Sequence, residues 1–189
     1  MGDFAACQPF VLQEEGGFVN NPKDPGGATF QGVTQDVFWV WLRQQGLPLL
    51  SVRLMTPFQR DQIYQVQYWE HCFAGLCPPG IDQQVYDIAV NSGIARSVME
   101  LQQALGVAAD GHFGLLSKAA LAKVQTQAQR DALIRALGAE RISFWKAIRH
   151  GQLWAYFGKG WGAREARCLA LSLEMSANAG AIPQGAQSA

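Results

Sequence analysis

The chain has 189 residues, 49% of them apolar and 16% charged, and its 15 basic and 15 acidic side chains cancel. This composition excludes a disordered chain, and the length supports one sizeable core or a core with a small appended lobe. No stretch approaches the roughly eighteen apolar residues of a membrane span, and no basic-then-apolar targeting segment opens the sequence. Phe4, Cys7, Val11 and Leu12 recur at helical spacing behind Asp3, a fair N-cap, which predicts a first helix. Gly16 and Gly17 supply the left-handed residue that closes it. From Glu14 to Thr34 the run holds five glycines, two prolines and two asparagines, so at most a short hairpin is expected at about 18–33. Thr34 caps a helix over about 35–45, ended by Gly46 and Pro48. Phe38, Trp39 and Trp41 are more rings than one of its faces can bury.

Thr56-Pro57 starts a helix running to about residue 70, with Ile63, Val66, Tyr68 and Trp69 on it. Cys77-Pro78-Pro79-Gly80 is a turn, and Asp82 caps the next helix through Val85, Ile88 and Ala89. On that helix Asp87 and Asn91 are four apart and share a face, which suits a cleft-facing pair or a buried hydrogen-bonded pair equally. Beyond Gly93, Val98, Leu101 and Leu105 form one stripe, and Asp110-Gly111 makes a turn before a short helix. Residues about 127–149 read as one long helix, with Gly138 as the place for a bend. Phe157 to Gly162 reads as a loop feeding a last helix over about 163–178, and the tail from Gly180 as frayed. No alternating β-branched run appears, so little sheet is expected.

Charge is uneven along the chain: residues 1–93 hold 4 basic and 9 acidic side chains, and residues 94–189 hold 11 and 6. An acidic catalytic part joined to a basic part that faces an anionic polymer would look like this; so would salt-bridged helices with no partner. Arg141, Lys146, Arg149, Lys159, Arg164 and Arg167, interleaved with Trp154, Tyr156, Phe157 and Trp161, form a candidate basic surface. The acidic first half argues against nucleic acid as its partner. The four cysteines, Cys7, Cys72, Cys77 and Cys168, read first as buried thiols. Pairing of Cys72 with Cys77, or Cys7 with Cys168, comes second, and metal last, since no second Cys or His pair accompanies His71-Cys72. No metal and no cofactor is expected.

The chemistry concentrates at Glu14-Glu15-Gly16-Gly17. A carboxylate in the last turn of a helix meets the negative end of the dipole, which disfavours its ionised form, and desolvation adds to that. A carboxylic acid that keeps its proton is what protonation of a glycosidic oxygen requires. Glu14 points about 100° away from Glu15, so one of the two faces a given cleft. Taken alone, the motif reads more simply as a solvated helix end.

The longer pattern says more. Glu15-Gly16-Gly17-Phe18, then Asn20-x-Pro22-x-Asp24-Pro25-Gly26-Gly27-x-Thr29, then Gly32-Val33-Thr34, resembles the signature of the glycoside hydrolase 108 muramidases. These are phage endolysins and related bacterial enzymes that cut the peptidoglycan glycan strand. Tyr68-Trp69, Tyr86-Asp87-x-Ala89-Val90-Asn91-x-Gly93, Asp110-Gly111-x-Phe113-Gly114 and Phe157-x-x-Gly160-Trp161-x-x-Arg164 are similar to its later blocks, in order over about residues 8–170.

The resemblance implies a mainly α, lysozyme-like helical fold, with a small irregular or β-hairpin lobe at about 17–33 across a cleft from the helices. It implies a catalytic part over 1–93, a helical peptidoglycan-binding part over 94–180 packed on it, and a flexible tail over 181–189. Glu15 would be the general acid for hydrolysis of the β-1,4 bond between N-acetylmuramic acid and N-acetylglucosamine. Asp24 and Thr29 would position water or stabilise the oxocarbenium-like state, although Asp24 would equally serve to brace the Pro-Gly-Gly turn. Trp39, Trp69, Tyr86, Asp87 and Asn91 are the candidate substrate contacts; for the tryptophans, plain core packing is the simpler account.

Peptidoglycan is the expected partner and the chain an expected monomer, acting in the periplasm or cell wall after holin-type release or specialised secretion. A lytic transglycosylase using the same glutamate and a non-catalytic wall-binding module are the alternatives. An antibacterial effector with an immunity partner would share the chemistry of an endolysin.

Overall fold

The computed structural model describes residues 1–19 and 28–179. The chain forms two compact units, one of residues 4–67 and one of residues 1–3 with 68–189. The expected frayed tail from Gly180 and the Asn20 to Gly27 loop lie outside the described residues.

In the unit of residues 4–67, helix α1 (Phe4–Glu15) is followed by three two-residue strands, β1 (Phe18–Val19), β2 (Thr29–Phe30) and β3 (Val33–Thr34). They form one antiparallel sheet in the order β1-β2-β3. Helix α2 (Gln35–Gln44) starts at Thr34, whose hydroxyl accepts from the Val37 N–H at 3.3 Å, as the sequence indicated. Helix α3 (Pro57–Tyr64) carries a full capping box: Thr56 and Gln59 exchange side-chain bonds to each other's backbone, with Pro57 at the first position. The chain continues as a π-helical segment, Gln65–Trp69. Among the described residues, Cys7, Phe10, Val11, Val33, Phe38, Leu42, Val52, Met55, Ile63 and Tyr64 are the buried apolar residues of this unit.

The other unit is built on α4 (Ile81–Ser92), with α5 (Ile94–Ala104), α6 (Leu115–Leu121), α7 (Gln127–Ala147) and α8 (Gln152–Asn178). Helix α4 packs against α5, α7 and α8, and every residue from Ile81 to Ala89 is buried. Asp82 does serve the start of α4, but from inside the first turn: Gly80 is the cap, and one Asp82 oxygen accepts from the N–H groups of Gly80 at 2.7 Å and Gln83 at 2.8 Å. Its other oxygen accepts from the Asp3 N–H at 3.0 Å, which ties the N-terminus to this unit.

Two readings of the last helices need correction. Phe157 to Gly162 is not a loop, because α8 runs unbroken from Gln152 to Asn178. Gly158 lets the helix continue against an indole: a Cβ there would lie 2.7 Å from Trp154 Cδ2. Gly138, expected to bend α7, instead gives Glu165 room, since a Cβ would overlap the Glu165 carboxylate.

The basic surface also dissolves in part. Arg141 is fully buried; one of its terminal nitrogens donates to Asp87 at 2.7 Å and to Glu165 at 3.1 Å. Arg164, also buried, donates to both Asp87 oxygens, at 2.7 and 3.3 Å. Burial alone would raise the Asp87 carboxyl; the two guanidinium groups more than reverse that and hold it below the usual carboxylate range. Lys146, Arg149, Lys159 and Arg167 remain exposed.

Glu100 sits differently. It is 1% exposed, and neither carboxyl oxygen has a hydrogen-bond partner among the described residues. Burial pushes it up to about 7; Arg141 and Arg96 oppose the rise, and Glu165 and Glu140 add to it. A carboxyl raised in the folded state gives stability that is complete below its unfolded value and lost as pH rises through about 7. Wild-type protein should therefore lose roughly 3 kcal/mol between about pH 4.5 and 8 through this group. Glu100→Gln, which keeps the shape without the proton, should flatten that part of a melting-temperature profile; an unchanged profile would contradict it.

Candidate active site

Glu15 is the last residue of α1, and Gly16 beyond it takes φ +75°, the left-handed conformation that closes the helix. The next glycine, Gly17, accepts the Gln31 N–H through its carbonyl at 3.5 Å. That bond brings the end of α1 to the turn between β2 and β3. The turn has two residues, with Phe30 opposite Val33 and Thr29 opposite Thr34. Both turn residues have positive φ, +48° at Gln31 and +76° at Gly32, the pair of conformations that a tight hairpin requires.

Glu15, half-buried, packs on this turn. Its Cγ lies 3.4 Å from the point where a Cβ on Gly32 would stand. The same empty point is met by the hydroxyl of Tyr64, which is 1% exposed and donates to the Gln31 carbonyl at 2.9 Å. One turn earlier on α3, Arg60 donates to the Gln31 side chain at 2.9 Å and to Asp61 at 2.8 Å. Asp61 in turn accepts from Gln8 on α1 at 3.1 Å. Helix α1 is thus held to the hairpin both directly at Glu15 and through α3.

Thr29 lies half-buried in β2, opposite Val19 on one side and Thr34 on the other. It belongs to the same small sheet as the turn under Glu15. Asp24 lies outside the described residues. Trp39 is half-buried on α2, and its indole N–H donates to the Leu50 carbonyl at 2.9 Å. Gln35 grips the same segment, donating to Leu50 and accepting from the Val52 N–H at 2.8 Å. The polar end of Trp39 is therefore used in holding the chain after α2.

The other expected contacts belong to the second unit. Trp69 and Tyr86 are 6% and 0% exposed and meet edge to face with ring centroids 5.3 Å apart. Asp87 is 0% exposed and held by two arginines. These three, expected as substrate contacts, are core residues with little or no exposed surface. Asn91 is exposed near the end of α4 and accepts from the Ser92 hydroxyl at 3.1 Å. Asp87 and Asn91, though four apart, therefore do not work as a pair.

All four cysteines are buried thiols, the first of the readings their spacing allowed. Burial pushes the Cys72 thiol up to about 12 and Cys77 and Cys168 well above the usual range, so these three stay protonated and unreactive. Among the described residues, no group of three or more His, Cys, Asp or Glu could hold a metal ion.

Tyr64, Gln31 and Arg60 were not singled out by the sequence. The local signal was a glycine, Gly32, between the β-prone pairs Thr29-Phe30 and Val33-Thr34, which suits a tight turn; nothing near Tyr64 marks its hydroxyl. Asp87 and Arg164 stood in the motif blocks, but their joining with Arg141 and Glu165 in one buried cluster gave no signal, because Asp87, Arg141 and the Arg164-Glu165 pair lie far apart in the chain.

The fold is mainly α and lysozyme-like, and Glu15 closes its first helix beside a small hairpin. The family model described as Glycosyl hydrolase 108 matches residues 8–93, a span that contains every candidate site residue. The structure of Brucella abortus SagA is similar over 92% of this chain and 95% of that one, with 35% identity and a TM-score of 0.73. No curated protein matches the chain. The chain belongs to glycosyl hydrolase family 108, and its class of activity is peptidoglycan hydrolysis.

Proposed function

We propose that the chain hydrolyses the β-1,4 bond between N-acetylmuramic acid and N-acetylglucosamine, with Glu15 as the general acid. The observation that carries this reading is the seat of Glu15: half-buried at the end of α1, packed on the Gln31–Gly32 turn. A side chain whose stem is seated in this way narrows the directions its carboxyl can take, and general acid catalysis depends on such geometry. Glu15 protonates the leaving oxygen, and water adds to the anomeric carbon and loses its proton to a base. Asp24 is the carboxylate assigned to that base role, and the Thr29 hydroxyl orients the water. Trp39, which lies in the same unit as Glu15 and keeps exposed surface, remains a candidate for a sugar contact.

The site of action would be the periplasm or cell wall, reached by holin-type release or by specialised secretion. An endolysin and an antibacterial effector would share this chemistry. Mass spectrometry of the glycan ends released from purified sacculi tests the reading. New reducing N-acetylmuramic acid ends are expected. Anhydromuramic ends would make the chain a transglycosylase, reducing N-acetylglucosamine ends a glucosaminidase, and no new ends a binding module; each would overturn the proposal.

A further inference from the structure

We propose that Tyr64 is a positioning residue for the Glu15 acid, acting through its hydroxyl, which seats the Gln31–Gly32 turn; this rests on the reading of Glu15 as general acid. Burial of the ring needs no special account, since a phenylalanine would fill the same space. The hydroxyl does need one. Its proton goes to the Gln31 carbonyl at 2.9 Å, and the oxygen occupies the place that a side chain on residue 32 would take. Glu15 Cγ borders that same place at 3.4 Å. One missing Cβ thus lets a phenol oxygen, a turn and the acid's side chain close on one another.

The turn also needs holding. Gln31 is a non-glycine residue at φ +48°, a conformation that costs energy and persists only when its surroundings enforce it. Helix α3 enforces it twice, through Tyr64 on the Gln31 backbone and Arg60 on the Gln31 side chain. Because β2 enters this turn directly from Thr29, the same seat fixes the acid relative to the Thr29 hydroxyl. Small errors in such spacing act on the chemical step more than on binding.

The test is Tyr64→Phe, measured by steady-state hydrolysis of soluble glycan-strand fragments beside wild type and Glu15→Gln, with melting curves on each. The expected result is a kcat lower by about tenfold, with KM within about twofold and the fold intact at the assay temperature. Gly32→Ala should lower kcat in the wild-type background, and by a smaller factor in Tyr64→Phe, where the oxygen that the new methyl would meet is gone. A Tyr64→Phe enzyme with wild-type kcat, or with a loss explained by its unfolded fraction, would overturn the inference. Equal factors for Gly32→Ala in both backgrounds would also overturn it. If wild type is active, Glu15→Gln is dead and Tyr64→Phe is fully active, only this inference fails. If Glu15→Gln stays active, the underlying reading fails with it.

Discussion

Glu15→Gln is expected to abolish clearing of sacculi while leaving the circular dichroism spectrum unchanged. The amide keeps the shape of the side chain but has no acidic proton to give. Loss of a general acid costs about 10²–10⁴ in rate, enough to take a bacteriolytic enzyme below detection in a turbidity assay. The fold should be indifferent, because Glu15 is a half-buried last-turn residue whose Cγ, kept by glutamine, makes the contact with the turn. Glu14→Gln is the control: Glu14 lies about 100° around the helix and should retain activity. Clearing by Glu15→Gln at the wild-type rate would remove Glu15 from the mechanism.

The second large effect concerns stability. Arg141→Met should lower the unfolding free energy by about 3–5 kcal/mol, read from denaturant midpoints. Arg141 is fully buried and compensates two carboxylates, Asp87 at 2.7 Å and Glu165 at 3.1 Å. Without it, Asp87 still has Arg164, whereas Glu165 keeps the neutral amide of Gln84 at 3.1 Å in place of a cation. A buried carboxylate stripped of its cation costs far more than a surface charge change. The acid side follows from the same cluster. Asp87 is held below the usual carboxylate range, so its contribution is present above the unfolded value of about 3.9 and is lost as pH falls through the folded one. A loss under about 1 kcal/mol for Arg141→Met would show that the cluster is not an essential part of the core.

What the sequence revealed was local. Thr34 and Thr56 were legible as caps because a hydroxyl and the residues just after it decide a helix start. Glu15 was legible as a helix end because two glycines follow it, and the long α7 was legible from its three-and-four spacing. What it concealed depends on partners distant in the chain. Gly158, Gly160 and Gly162 read as a loop by composition, yet Gly158 is helical against Trp154. Arg141 and Arg164 read as members of a basic surface because nothing near them announces Asp87, 54 and 77 residues away. Trp69 and Tyr86 matched the family blocks correctly, but a motif does not say whether an aromatic faces ligand or core. Tyr64 had no pattern at all; only the contact of its hydroxyl with the turn reveals it.

A crystal structure of the Glu15→Gln protein bound to a peptidoglycan glycan fragment tests the central claim most directly. The amide that replaces the Glu15 carboxyl should lie within hydrogen-bond reach, about 3 Å, of the oxygen joining N-acetylmuramic acid to N-acetylglucosamine. A glycan bound with that oxygen far from residue 15, or with another carboxyl beside it, would contradict the claim.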